Sequence, residues 1–110
     1  MGTRVAVLGA GSWGTALAMQ LARVGHSVRL WARDADHVAE MRRDRENRRY
    51  LPGAALDDLI QPEAALEAAL DDARRILIAV PSSAFAQLAA ALAERAEPET
   101  GVAWATKGFE

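Results

Sequence analysis

Gly9, Gly11 and Gly14 stand at G-x-G-x-x-G spacing near the start of the chain. Each glycine has a distinct use if a pyrophosphate is to be bound. Gly9 allows a tight turn, Gly11 lets backbone approach the anion, and Gly14 lets a helix pack against a strand. The spacing alone is weak evidence, because glycine turns are common. Its surroundings are more specific. Val5 to Leu8 is a short apolar run, the length of a buried parallel strand. After the glycines, Ala16, Leu17, Leu21 and Val24 recur at helical spacing, with Gln20 as the polar exception. A helix opening there offers unpaired N–H groups and a positive dipole end, which suit a phosphate anion. Strand, glycine turn and helix together point to dinucleotide binding rather than to a purely structural turn.

Other residues carry possible chemistry at the ends of the strands that must position them. An acid about 20 residues after the glycines would bond the ribose 2′-hydroxyl of NAD. That place falls on Ala32, followed by Arg33, whose guanidinium can pair with a 2′-phosphate and so admits NADP. The competing reading of Arg33 is a solvated strand-end charge. Asp34 is better suited to capping the next helix. Pro81, in Val80-Pro81-Ser82-Ser83, ends a strand at the edge that adjoins the glycine turn in a doubly wound sheet. It can form a rigid rim there or act only as a strand stop. Lys107 is the single lysine among 13 basic residues. A compact ammonium at the end of the last strand can point at an oxygen in a way a flat guanidinium cannot. A chance surface lysine is the alternative. His26 and His37 lack metal-spaced or catalytic partners and read as structural or surface residues. Arg42, Arg43, Arg45, Arg48 and Arg49, interleaved with Asp44 and Glu46, read as a solvated helix face.

The elements follow from pattern. Gly25 caps the first helix. Ser27 to Ala32 forms a second strand, with Val28, Leu30 and Ala32 on one face and Arg29 and Trp31 on the other. Asp34 caps a helix over about residues 35 to 46, with Val38 and Met41 inward. Tyr50 to Gly53 reads as a turn or loop, Leu59 to Gln61 as a short strand, and Glu63 to Leu70 as a helix. Arg75 to Val80 has, after its first residue, the unbroken apolar character of a central parallel strand. Ser82 or Ser83 caps a helix reaching about Arg95, and Gly101 to Ala105 is a last strand. Strands alternating with helices give an α/β, Rossmann-type doubly wound parallel sheet as the expected fold.

The composition bounds the rest. A chain of 110 residues is enough for one domain burying roughly two-thirds of its unfolded surface. A net charge of −2 sets up no general field for nucleic acid or an anionic membrane. The absence of cysteine excludes disulfides and thiolate metal sites, and no other metal site is expected. The first apolar run is too short for a signal peptide, and none approaches the roughly 20 residues of a membrane span. The expected setting is the cytoplasm, with neither nucleic-acid binding nor membrane insertion.

Five stretches, in order along the chain, resemble the N-terminal domain of bacterial-type NAD(P)-dependent glycerol-3-phosphate dehydrogenase. They are residues 9 to 16 (GAGSWGTA), 30 to 33 (LWAR), 47 to 53 (NRRYLPG), 79 to 82 (AVPS) and 105 to 108 (ATKG). The resemblance implies reversible reduction of dihydroxyacetone phosphate to sn-glycerol 3-phosphate, in support of glycerophospholipid synthesis. It puts Ser12, Trp13, Arg33 and Tyr50 near the cofactor and Lys107 where substrate and cofactor meet. With the glycines and Pro81, these make the candidate cofactor-binding set Gly9, Gly11, Ser12, Trp13, Gly14, Arg33, Tyr50, Pro81 and Lys107. The cofactor is expected to be NADP, with NAD as the second choice. Ala84 departs from the family, standing where some relatives carry an aromatic, with Phe85 beside it. The family's proton-transferring lysine belongs to a C-terminal helical domain outside residues 1–110, so no catalytic base is expected among them and these residues alone are expected to be inactive. A homodimer is the assembly the resemblance allows at full length. Two rivals remain at this stage: the cofactor half of another hydroxyacid-type dehydrogenase, and a non-catalytic dinucleotide-sensing module.

Overall fold

The computed structural model describes residues 3–80, 87, 88, 90 and 101–104, the last four as backbone. Five strands form one parallel sheet: β1 (Arg4–Leu8), β2 (Ser27–Trp31), β5 (Ile60–Glu63), β6 (Arg75–Ile78) and β7 (Gly101–Trp104), in the order β5-β2-β1-β6-β7. This is the doubly wound arrangement expected from the alternating pattern. β1 lies at the centre, pairing Leu8 with Trp31 on one side and with Ile78 on the other. The chain builds outward from β1 through β2 to β5, then crosses to β6 on the opposite side. The reversal puts a switch point beside β1, where a crevice opens at the carboxyl ends of the strands.

Residues 5 to 8 explain why β1 is central, since all four are buried. Val5 and Val7 face a layer formed by α1 (Ser12–Arg23) and α2 (Ala35–Asp44), meeting Ala18, Ala22, Val38 and Met41. Ala6 and Leu8 face the other layer, with Trp31, Ile76, Ile78, Leu88 and Ala69 of α3 (Leu66–Leu70). β2 divides as its alternation requires, with Val28, Leu30 and Ala32 in the first layer and Trp31 in the second.

The end of α1 shows the glycine stop in detail. Gly25 has φ +98, its N–H donates to the Ala22 carbonyl, and the His26 N–H donates to the Leu21 carbonyl. These two bonds satisfy carbonyls that the helix leaves open. His26 has a structural role, because its Nδ1 accepts from the Thr3 N–H at 2.9 Å.

Five expectations need correction. α2 ends at Asp44, short of residue 46, because Arg45 turns left-handed at φ 51. Residues 50 to 53 are not simply a loop: β3 (Glu46–Asn47) and β4 (Leu51–Ala55) form a small antiparallel hairpin. Glu63 belongs to β5 instead of opening a helix, because its carbonyl accepts from the Ala32 N–H at 3.0 Å within the sheet's hydrogen-bonding pattern. Pro62 is tolerated in that strand because β5 is the sheet edge. The arginine cluster is more than a solvated face. Arg42 donates to the Pro62 carbonyl and pairs with Glu63, while Arg45 donates to the carbonyls of Asp57 and Ile60. These bonds tie α2 to the edge strand. β6 stops at Ile78, two residues before Val80, although the Ala79 N–H still reaches the Leu8 carbonyl at 2.8 Å. Of the helix expected from Ser82 or Ser83 to Arg95, residues 87, 88 and 90 are described and are helical. The capping serines, Ala84 and Phe85 lie outside the described residues.

Candidate functional site

At the switch point, the chain leaving β1 turns through Gly9 to Gly11 and enters α1. The three glycines differ in what requires them. Gly9 has φ +123, and a Cβ there would lie 2.4 Å from the Ala79 carbonyl oxygen. A Cβ on Gly14 would lie 1.8 Å from the Gly9 carbonyl oxygen, so the first turn of α1 packs directly on the glycine turn. Both positions are glycine for reasons internal to the chain. Gly11 is different. Its φ of −76 suits any residue, and a Cβ there would meet nothing within 4 Å. Neither backbone conformation nor packing within the described chain calls for glycine at 11. A close approach by a ligand would.

The start of α1 agrees with this. Its N-cap is Gly11, with no capping side chain, and its first turn contains no acid. Ser12 and Trp13 begin the helix, and Trp13 is 41% exposed. The N–H groups of a first helical turn have no partner within the helix. An anion placed there would accept from them and meet the positive end of the dipole.

A cleft of about 380 Å³ extends from this turn across the ends of β2 and β6. Gly9 and Gly11 form its floor, Arg33 and Tyr50 stand on one side, and Val80 on the other. Arg33 follows β2 and is exposed; among the described residues no carboxylate lies within salt-bridge distance of it. Its neighbour Asp34 is fully engaged with its own chain. One oxygen accepts from the N–H groups of Asp36 and His37, and the other pairs with Arg49 at 3.1 Å. The His37 N–H foremost, and then Arg49, hold the Asp34 carboxyl below its ordinary range. Arg49 also grips Glu40 at 2.7 Å and lowers its pKa, while its own rises. Asp34 therefore supports α2 while its carboxylate, tied to Arg49, also lines the cleft; Arg33 is the cation on that lining without a carboxylate partner among the described residues.

Tyr50 is 53% exposed, with its ring centroid 5.4 Å from that of His37. His37 is not a surface residue. It is 5% exposed, lines the cleft, and contacts Asn47 Oδ1 through Nε2 at 2.8 Å. Asn47, wholly buried, donates from Nδ2 to the Ala10 carbonyl and to the Thr15 hydroxyl, each at 2.8 Å. Reading residues by spacing misses this network. His37 and Asn47 are ten apart, and a left-handed residue between them brings them together. The only signal in the sequence is the presence of Asn47 in the 47–53 stretch.

The structure thus gathers Gly9, Gly11, Arg33 and Tyr50 on one cleft, with Gly14, Ser12 and Trp13 in the helix turn behind it. Pro81 and Lys107 lie outside the described residues. Val80 reaches the cleft, and β7 ends at Trp104, paired beside Ile78 at the same edge of the sheet. Among the described residues there is no cluster able to hold a metal ion, and no helix is long and apolar enough to cross a membrane.

Comparison with known proteins agrees with this arrangement. The family described as the NAD-dependent glycerol-3-phosphate dehydrogenase N-terminus matches residues 4–110. A glycerol-3-phosphate dehydrogenase [NAD(P)+] of Xanthomonas euvesicatoria is 54% identical over 107 residues, covering 97% of this chain and 31% of that protein. The crystal structure of glycerol-3-phosphate dehydrogenase from Coxiella burnetii superposes with a TM-score of 0.92 at 44% identity, over 97% of this chain and 33% of that one. The Saccharomyces cerevisiae enzyme shares the fold, with a TM-score of 0.88 at 22% identity over 100% of this chain and 35% of that one. The chain spans about a third of the length of these relatives.

Proposed function

Because the chain belongs to the NAD-dependent glycerol-3-phosphate dehydrogenase N-terminal family, we propose that it is the cofactor-binding part of an oxidoreductase. The reaction is the interconversion of dihydroxyacetone phosphate and sn-glycerol 3-phosphate, for glycerophospholipid synthesis. NADP(H) is the preferred cofactor and NAD(H) the second. The observation that carries this reading is Gly11, a glycine that nothing among the described residues requires, at the uncapped start of a helix.

The residues suit the group. Gly11, Ser12 and Trp13 hold its pyrophosphate through backbone N–H groups, with Gly9 and Gly14 setting the turn. Arg33 pairs with the 2′-phosphate; Ala32 stands where an acid would bind the ribose hydroxyl, and the nearby Asp34 carboxylate is engaged by Arg49 and the start of α2. Tyr50 covers the cofactor from the hairpin side, and Pro81 is a further cofactor contact in this reading. When bound, NADPH supplies a hydride to the substrate carbonyl. Lys107 meets the substrate and polarises that carbonyl, acting where negative charge develops. The alkoxide also needs a proton, and the substrate phosphate needs an anchor. Both come from a helical domain beyond these 110 residues, which also excludes water from the site. The reading implies an enzyme of the cytoplasm, with a homodimer as its assembly.

Titrating the intact protein with NADPH and NADH, and then following NADPH oxidation with dihydroxyacetone phosphate, tests this. The expected result is tighter binding of NADPH and steady turnover. Binding without turnover would point to a dinucleotide sensor, and turnover of a different hydroxyacid pair would move the chain to another dehydrogenase class.

A further inference from the structure

Asn47 sits where four segments meet. Its Nδ2 gives one hydrogen to the Ala10 carbonyl and one to the Thr15 hydroxyl. With both amide hydrogens engaged, Oδ1 can only accept, so the hydrogen in the third contact belongs to His37 Nε2. Every polar atom of this buried side chain is therefore committed, and its orientation is determined.

The Ala10 carbonyl shares a peptide unit with the Gly11 N–H. The described backbone contains no cis peptide, and in a trans unit the C=O and N–H point in opposite directions. Holding the Ala10 oxygen in the core therefore aims the Gly11 N–H outward, toward the cleft. Were that unit to turn over, a carbonyl would face the anion in place of a donor. Gly11 offers little resistance to such a turn, since it lacks a Cβ.

We propose that Asn47 is the positioning residue of the pyrophosphate site. It fixes the peptide whose N–H meets the anion, and β3 exists to deliver it there. The proposal rests on the NADP(H) reading given above. Asn47 does not touch the cofactor. Thr15 and His37 hold its amide in register from α1 and α2, so the glycine turn is set by contacts with three other elements.

Asn47→Asp keeps size and shape but replaces the donor with a carboxylate oxygen facing the Ala10 carbonyl. The intact protein and the variant are titrated with NADPH and with adenosine 2′-monophosphate, which carries the base and 2′-phosphate without a pyrophosphate. NADPH affinity is expected to fall by at least about tenfold, while that for adenosine 2′-monophosphate changes by less than about twofold. Unchanged NADPH affinity overturns the proposal. So does an equal loss for both ligands, which marks general damage to the fold. A parent protein that binds no NADPH removes the cofactor reading and the proposal with it. Should Asn47→Asp fail to fold, Thr15→Val removes one of the two acceptors at constant shape. It is expected to weaken NADPH alone by about threefold or more, and equal or absent losses overturn the proposal in the same way.

Discussion

α1 and α2 both begin at the carboxyl end of a strand in the same sheet, yet their first turns are built in opposite ways. α2 is closed by its own sequence. Asp34 accepts two backbone N–H groups, Asp36 adds a second acid in the first turn, and Arg49 braces Asp34 from outside. α1 begins at Gly11, with no capping side chain and no acid. Relative to a Ser, Thr, Asp or Asn cap, a glycine cap costs a helix only about a few tenths of a kcal/mol, so the open start of α1 is a small local cost that leaves room for an outside acceptor. α2 is a structural helix that carries its own acceptor, whereas α1 carries none. The position of the open start, at the switch point of the sheet, is what supports the proposal that an anion binds there.

The largest effect should come from the glycine that joins α1 to its turn. Gly14→Ala puts a methyl group against the Gly9 carbonyl at a separation no real Cβ contact shows. Destabilisation of about 3 kcal/mol or more is expected, at the upper end of overpacking costs. Denaturant unfolding measures it, and a variant as stable as the parent would show that the packing of α1 on the turn has been misjudged.

Arg33→Ala comes next. A charge-assisted hydrogen bond of about 1.5–3 kcal/mol corresponds to a roughly ten- to hundredfold preference for NADPH over NADH. The substitution should remove most of that preference. Equal affinities for the two cofactors in the parent, unaltered in the variant, would reduce Arg33 to a solvated charge.

Ser12→Asp would make the first turn of α1 resemble that of α2. An acid there should stabilise the unliganded protein by about 0.3–1 kcal/mol through the helix dipole. It should also repel the pyrophosphate, weakening NADPH by about tenfold. A gain in stability with undiminished binding would show that no anion sits at this helix start.

The smallest effect belongs to the closed helix. Asp34→Ala should lower the thermal midpoint by a few degrees and leave NADPH affinity within about threefold of the parent. The pH dependence has a definite sign. The folded pKa of Asp34 is depressed below its ordinary value of 3.8. The stability it contributes is therefore present above that pH and disappears as the pH falls below it. Thermal unfolding of parent and variant should differ at neutral pH and converge in acid. A difference that persisted there would show that the depressed Asp34 carboxyl is not the origin of the stabilisation.

Much of this was legible in the residues. The run from Val5 to Leu8, the three glycines and the alternation of β2 reflect local rules, buried strands being apolar and tight turns needing glycine. Asp34 announces a helix start by its chemistry. The hairpin at 46–55 was hidden because β3 is only two residues long and its partner β4 contains Pro52 and Gly53, which locally signal a turn. Glu63 suits a helix start by propensity, and only its neighbour β2 makes it part of a strand. The link from His37 through Asn47 to Ala10 depends on tertiary contacts between residues up to 37 apart, which no periodicity expresses. The different uses of Gly11 and its two companion glycines were legible in the motif, while the contacts that demand glycine at 9 and 14 appear only in the fold.

That difference is also the most direct point of attack. Gly11→Ala adds one methyl group where the described residues leave open space and where φ is ordinary. The thermal midpoint and the NADPH dissociation constant should be measured on the same preparation. The account predicts a midpoint within a few degrees of the parent and an affinity at least about tenfold weaker. NADPH binding as tight as in the parent would mean that no ligand approaches Gly11, and that the open start of α1 is not the cofactor site.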